Sequence, residues 1–590
     1  MKYMRIGATF AILGALAGCA TPRAGGPATG PVSVEIIAFN DFHGALEPPG
    51  LAVPAPQPDG STIRVPAGGA AYFASAIARI RAEHPNSITV AAGDLISASP
   101  LASAQFLDEP TIMALNMIGL DLSSVGNHEF DRGRAELLRM QNGGCARHTN
   151  RDPCRLDSFQ GARFRYLAAN VRTEDGGTLF PAYAIRRFGS GARTVRVGFI
   201  GLVLREASTL VMPSGIAGLT FADEADTINA LVPRLRAEGA EAIVVLIHQG
   251  VSTTVGFNDH RCSGMDGGLM AVLARLDPSV DLVVSGHTHN AYICDYGVID
   301  PGRPFLVTSA GKSGTLVTDI GLAIDPASGH VVARGADNRI VASPGYTAAS
   351  GSVSPSLLYP AETANPAVAA LVARYAAAVA PIAARVVGRL GGPATRDDEP
   401  NGESVLGDLV ADAALAATSA PAAGGARIAF SNSTSLRADI VPGANGAITF
   451  GQLFAAQPFG NNLTVKTFTG RQIRALLEQQ FNSGLNTPAH PSMLAPSRGF
   501  RFSYDLSRPA GSRIVAMSLD NVPIADEATY RVAMNSYLAS GGDSFTIFRE
   551  GTDALGGPQD IDTLEAYVAT PGGLAVPVLG RITRLDRPAS

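Results

Sequence analysis

Between residues 34 and 289 the chain repeats one unit, a short β-branched or apolar run that gives way to polar residues. The runs are Val34–Phe39, Ile88–Ala92, Leu122–Val125, Val195–Leu202, Ile243–Ile247 and Leu282–Val284. Segments of helical period lie between them. Phe73, Ile77 and Ile80 form one stripe, and Ile228, Leu231, Val232 and Leu235 form another with Pro233 inside it. Strands alternating with helices predict an α/β layered domain, in which functional groups gather just beyond the strand ends.

The residues at those ends are metal-ligand types. The first run leads into Asn40-Asp41-Phe42-His43 and the second into Gly93-Asp94. The third leads into Gly126-Asn127-His128-Glu129-Phe130-Asp131, the fifth into His248 and the sixth into Gly286-His287-Thr288-His289. The chain has 10 histidines, and His43, His128, His248, His287 and His289 all fall in these motifs, a concentration that packing does not explain. Oxygen and imidazole donors without thiolate suit Zn, Mn, Fe or Co. A carboxylate such as Asp94 has two oxygens and can bridge two ions, the clamp used for displacement at phosphorus. His128 is then placed to protonate a leaving oxygen, and Asp131, three residues on, to orient it.

With 590 residues, 46% of them hydrophobic and a mean hydropathy of +0.16, the chain has material for two or three cores and is not a disordered polymer. A net charge of −5 argues against a nucleic-acid polymer as partner. Only Lys2, Lys312 and Lys466 among the 46 basic residues are lysines. Residues 1–18 read as an export signal: Lys2 and Arg5 precede an apolar stretch too short to span a membrane. Leu16-Ala17-Gly18-Cys19 resembles a bacterial lipoprotein cleavage box, which makes Cys19 the lipidation site and the membrane a partner through that anchor. Residues 19–32 read as a tether, 33–341 as the first α/β domain, 342–387 as a linker with a helix over about Pro366–Val387, and 388–590 as a second, smaller α/β domain. The other cysteines are Cys145, Cys154, Cys262 and Cys294. They allow three pairings in an oxidising compartment, and sequence proximity favours Cys145–Cys154 with Cys262–Cys294.

The ordered set of motifs resembles the calcineurin-like metallophosphoesterase superfamily, and within it the exported 5′-nucleotidase / UDP-sugar hydrolase family. The resemblance implies a first domain that is a sandwich of two mixed sheets flanked by helices. It implies one divalent metal ion (Zn, Mn or Co) held by Asp41, His43, Asp94 and His289, and a second by Asp94, Asn127, His248 and His287. Its catalytic pair would be His128 and Asp131, assisting attack of a metal-bound hydroxide on a nucleoside 5′-monophosphate. In the second domain it places Arg437 (in Phe430–Ile440) on the substrate phosphate. Phe459 (in Gln457–Asn461) and Phe545 (in Ser540–Phe545) would sandwich the base, with Asn127 also touching substrate. Asp408 stands where some members carry a second phosphate-binding arginine, and an acid there repels phosphate unless a cation pairs with it. The rival readings are a related UDP-sugar or 2′,3′-cyclic nucleotide hydrolase or a thiohydrolase, and a surface-binding lipoprotein without activity. The expected location is the periplasm or outer surface, lipid-anchored.

Overall fold

A computed structural model describes residues 30–586 apart from 150, 192, 212, 349–350 and 397–398. The export signal and Cys19 lie outside the described residues.

The first domain is a sandwich of two six-stranded mixed sheets. In the first sheet, Val32–Phe39, Ser87–Ala92, Leu122–Ser124 and Arg165–Leu167 run parallel, and Leu316–Asp325 and His330–Ile340 extend it antiparallel. In the second, Arg193–Val203, Ala242–His248, Leu282–Ser285 and Leu306–Ala310 run parallel, with Tyr183–Ser190 and Ala291–Asp295 as antiparallel edges.

The period of two along Val32–Phe39 builds this layering. Val34, Ile36 and Ala38 face the other sheet and meet Phe199, Val244, Leu246 and Val284. Ile37 and Phe39 face outward onto the helix Ala70–Glu83, whose predicted stripe of Phe73, Ile77 and Ile80 is fully buried there. The second stripe lies on the helix Glu224–Ala237, which buries Ile228, Val232 and Leu235 and accommodates Pro233 in its interior. Both disulfides favoured by proximity form, Cys145–Cys154 and Cys262–Cys294.

The connecting helix spans Pro366–Ala383. Asn365 caps it by accepting from the Ala367 and Val368 amides, and Pro366 starts it where no amide is needed. It stops short of the predicted Val387, because β-branched Val386 and Val387 enter a strand, Val386–Arg389, that pairs with Ala447–Thr449. Val368, Leu371, Tyr375 and Val379 bury one face in the helical layer of the first domain, and Phe454 of the second domain joins the same core. The 342–366 stretch also carries a small hairpin, Tyr346–Ala348 with Gly351–Val353. The second domain combines a five-stranded and a four-stranded sheet, with the helices Val405–Thr418 and Gly470–Glu478 packed among them.

Phe199 has no solvent exposure between the two sheets. Phe199→Ala is expected to lower the unfolding free energy by about 3–5 kcal/mol. Chemical denaturation measures this, and a loss below about 1 kcal/mol would contradict the packing described.

Candidate active site

The parallel strands of both sheets point their carboxyl ends at one edge of the sandwich, and the motif loops leave from there. These loops are tightly wound. Asp41, His43, Asp94, His287 and His289 all have positive φ, between 47° and 73°, a region that non-glycine residues seldom occupy. The loops also approach each other closely. A Cβ on Gly93 would lie 2.6 Å from the Gly126 nitrogen, and one on Gly126 would lie 2.1 Å from Asp94 Oδ1. Glycine therefore precedes the ligand-type residue in both motifs because a neighbouring motif fills the space of a side chain.

Seven donor-bearing side chains meet in this space. His43 Nε2 lies 3.2 Å from His289 Nε2 and 3.7 Å from Asp94 Oδ2. His289 Nε2 is 3.4 Å from Asp41 Oδ1, and His248 Nε2 is 3.0 Å from Asp94 Oδ2. His287 Nδ1 is 3.1 Å from the Asn127 amide oxygen. Two groups of three emerge, Asp41 with His43 and His289, and Asp41 with Asp94 and His248.

These residues fit a divalent-metal centre. Donor atoms at right angles on an ion with bonds of about 2.1 Å stand about 3 Å apart, and these distances cluster there. The Ser97 and Ala92 carbonyls can only accept, so His43 Nδ1 (3.0 Å) and His248 Nδ1 (2.7 Å) carry protons and each Nε2 turns into the cluster. His248 Nε2 is buried and off-line for a hydrogen bond to Asp94. Charge agrees with geometry. Burial resists ionisation of the Asp41 carboxyl, but His289 outweighs it and holds the group at about 2. Burial holds the His287 imidazole at about 3, which keeps it neutral with one ring nitrogen free to ligate. Burial also resists charging of His248, yet Asp94 and Asp41 outweigh it and raise it to about 9, so the site favours positive charge at that point.

Beside the cluster, His128 Nδ1 donates to Asp131 Oδ2 at 2.7 Å and its backbone amide donates to Asp94 Oδ1 at 2.9 Å. Nδ1 is thus engaged, and Nε2 remains for chemistry at the cleft. Burial works against an imidazolium here, but Asp131 and Asp94 prevail and raise the pKa of His128.

The cleft itself, about 620 Å³, lies between the two domains. Asp94, Asn127, His128, Asp131, His287 and His289 form one wall, and Arg437, Phe459, Tyr537 and the loop Asn432–Ser435 form the other. The Phe459 ring stacks on the His128 imidazole, with centroids 5.7 Å apart and planes 16° apart. The Arg437 guanidinium stands 5.9 Å from the Phe459 centroid, and among the described residues no carboxylate comes within ion-pair distance of it.

Residues 34–291 match the calcineurin-like phosphoesterase family, and residues 384–550 match the 5′-nucleotidase C-terminal domain. The chain belongs to the 5′-nucleotidase family of metallophosphoesterases. The solved 5′-nucleotidase precursor from Thermus thermophilus is similar over 94% of this chain and 100% of its own, at 26% identity and a TM-score of 0.72. An uncharacterized protein in the pqq-V 5′ region of Acinetobacter calcoaceticus is 53% identical over 162 residues, which is 27% of this chain and 79% of its own length. Endonuclease YhcR of Bacillus subtilis is 28% identical over 540 residues, or 91% of this chain, but the match spans only 40% of YhcR.

Within this 5′-nucleotidase fold one expectation from the sequence is corrected. Phe545 does not line the cleft; it has zero exposure and packs on Phe548 in the core of the second domain. The second aromatic on the cleft wall is Tyr537, whose hydroxyl donates to Asp543 Oδ1 at 2.7 Å. The signal for it lay six residues ahead of Asp543, in a run that reads equally well as a helix start. Asp408 also stands outside the cleft. It is fully buried with Arg581 Nε 3.0 Å from Oδ2, and burial and Glu403, against Arg581, push its carboxyl up to about 8. Buried and paired with Arg581, it does not face a phosphate bound in the cleft. Asn432 donates to Asp543 Oδ2 at 2.7 Å, and Thr434 bonds to the same oxygen, so the polar run 431–435 is tied to the cleft wall.

Glu129 is a functional residue that sequence reasoning passed over. Its buried carboxylate accepts the amides of Asp94 (2.9 Å), Leu95 (2.8 Å) and Gly126 (2.5 Å), which fixes the relative position of two motif loops. Glu129→Ala is expected to weaken divalent-metal binding by about 10–100-fold. Metal titration of the dialysed protein measures it, and wild-type affinity would show that the loops hold their shape without Glu129.

Proposed function

We propose that this protein is an exported phosphohydrolase that removes phosphate from nucleoside 5′-monophosphates with a pair of divalent ions. The observation that carries the reading is the meeting of His128 and the donor cluster with Arg437 and Phe459 from the second domain in one cleft. The name of the Thermus thermophilus relative points the same way.

Asp41, His43, Asp94 and His289 would hold one ion, and Asp94, Asn127, His248 and His287 would hold the other. When bound, the ions neutralise phosphate oxygens and lower the pKa of a coordinated water. The chain supplies the rest. The planar guanidinium of Arg437 forks onto phosphate oxygens. Phe459 and, on the same wall, Tyr537 offer flat faces to a base, and Asn127 on the opposite wall stands at the phosphate end. A nucleoside held on Phe459 presents its 5′ oxygen to His128, the ring's stacking neighbour. His128 Nε2 delivers a proton to that oxygen, while Asp131 holds the tautomer and steadies the imidazolium.

Export is supported by the two disulfides, since such bonds persist in oxidising compartments. The lipid anchor at Cys19 rests on the sequence box alone.

Phosphate release from AMP, UDP-glucose and 2′,3′-cyclic AMP with Mn²⁺, Co²⁺ or Zn²⁺ tests the reading. AMP is expected to be the best substrate. His128→Ala should cut kcat by about 10²–10⁴-fold, and Phe459→Ala should mainly raise KM. Absence of phosphate release from every nucleotide would sink the proposal, and a preference for UDP-glucose would move it to the UDP-sugar hydrolases.

A further inference from the structure

A second cluster of metal-ligand side chains stands at the opposite end of the strand that leads to Asp41. Glu35 lies near the start of Val32–Phe39 and Asp41 just past its end, so about 20 Å of extended chain separates them. The groups gathered at the far end are Glu35, His84, Asp319 and Arg339.

Strand register brings them together. On the neighbouring antiparallel strand Asp319 stands opposite Ile37 and Gly321 opposite Glu35, so Glu35 and Asp319 share the face that the helix Ala70–Glu83 covers. Gly321 puts no side chain there, and the Glu35 carboxylate lies over it, with Oε2 3.6 Å from where a Cβ would be. His84 follows that helix, and its Nδ1 stands 3.2 Å from Glu35 Oε2. The turn after His84 is fastened to the same strand, since the Glu35 amide donates to the Asn86 carbonyl at 2.9 Å. One donor atom from each of Glu35, His84 and Asp319 lies within 4.8 Å of the other two.

The cluster is not closed by its own contacts. Arg339 pairs with Asp319 Oδ2, but Asp319 Oδ1 is buried without a hydrogen-bond partner among the described residues, on a residue only 6% exposed. Glu35 is equally buried. Two buried carboxylates against one guanidinium leave a negative charge without a partner. Burial, then Asp319, push the Glu35 carboxyl up to about 8 against Arg339, so the pair takes up either a proton or a cation. A proton needs only the two acids. His84 adds a third donor from a third element, and its 3.2 Å separation from Glu35 is that of two ligands on one ion with bonds of about 2.1 Å. The His84 side chain is 34% exposed, so an ion and its waters reach the cluster from solvent.

We propose that Glu35, His84 and Asp319 form a divalent-metal site separate from the active centre, suited to Zn²⁺ or a like ion that takes mixed nitrogen and oxygen donors. Arg339 orients the Asp319 ligand through its other oxygen. The ion touches no substrate. It ties together the strand that leads to Asp41, its antiparallel neighbour and the helix Ala70–Glu83.

The experiment loads the metal-free full chain with Zn²⁺, removes loose ions by gel filtration and counts those retained per chain in wild type, His84→Ala and Glu35→Gln. Each variant should retain one ion fewer than wild type, whatever number the active centre holds. Glu35→Gln keeps the shape of the side chain and its capacity to donate to Asp319, so a proton shared between the acids would leave its count unchanged. Turnover of AMP and the unfolding midpoint in chelator should stay at wild-type values in His84→Ala, while added Zn²⁺ should raise that midpoint less than it does in wild type. Equal ion counts in all three proteins overturn the proposal and assign the cluster to a shared proton. A missing ion accompanied by loss of AMP turnover also overturns it, because that ion would belong to the active centre. The count itself needs no turnover, so it stands apart from the phosphohydrolase reading.

Discussion

The hydrogen bond from His248 Nδ1 to the Ala92 carbonyl ties the carboxyl edges of the two sheets together, reinforced by the Ala310 amide on Asn40 Oδ1 and the His287 amide on Asp41. His248 ends a strand of the second sheet and Ala92 ends a strand of the first. Every other feature of the site presupposes that these edges meet. Asp94, two residues after Ala92, can stand against His248 only because the edges are in register, and Gly126 can pass beneath Asp94 only because Leu122–Ser124 is paired to Ser87–Ala92. The large inter-sheet core, from Val34 through Phe199 to Leu246, fixes that register.

Such a site concentrates backbone strain. Five ligand-type residues in left-handed conformations cost on the order of 1–3 kcal/mol each. The compensation is distributed through the buried strands behind them, whose apolar contacts and ladders do not depend on the loops. Glu129 contributes on the loop side by accepting three amides that would otherwise be buried without partners.

Much of this was legible in the sequence because it is local. Strand ends followed by Asp41, Asp94, Asn127 and His287 read as a row of ligands, and the helical stripes placed Phe73 and Ile228 on buried faces. What was not legible depends on which neighbour a side chain meets. Phe545 and Tyr537 sit eight residues apart in the same loop region, and nothing in their identities says which faces the cleft; the packing of Phe548 decides it. Asp408 looked like a charge opposed to phosphate, but Arg581, far along the chain, covers it. Glu129 has no signature beyond its place between His128 and Phe130, since its partners are backbone amides that any residue supplies.

The connecting helix Pro366–Ala383 gives the architecture a further property. Its buried face belongs to the first domain, and Phe454 of the second domain rests on that same core, so one helix anchors the junction between the two bodies. The donor cluster and the aromatic wall therefore sit on separate domains. Evolution can reshape the wall, and with it the range of leaving groups accepted, while the ion-binding loops stay untouched.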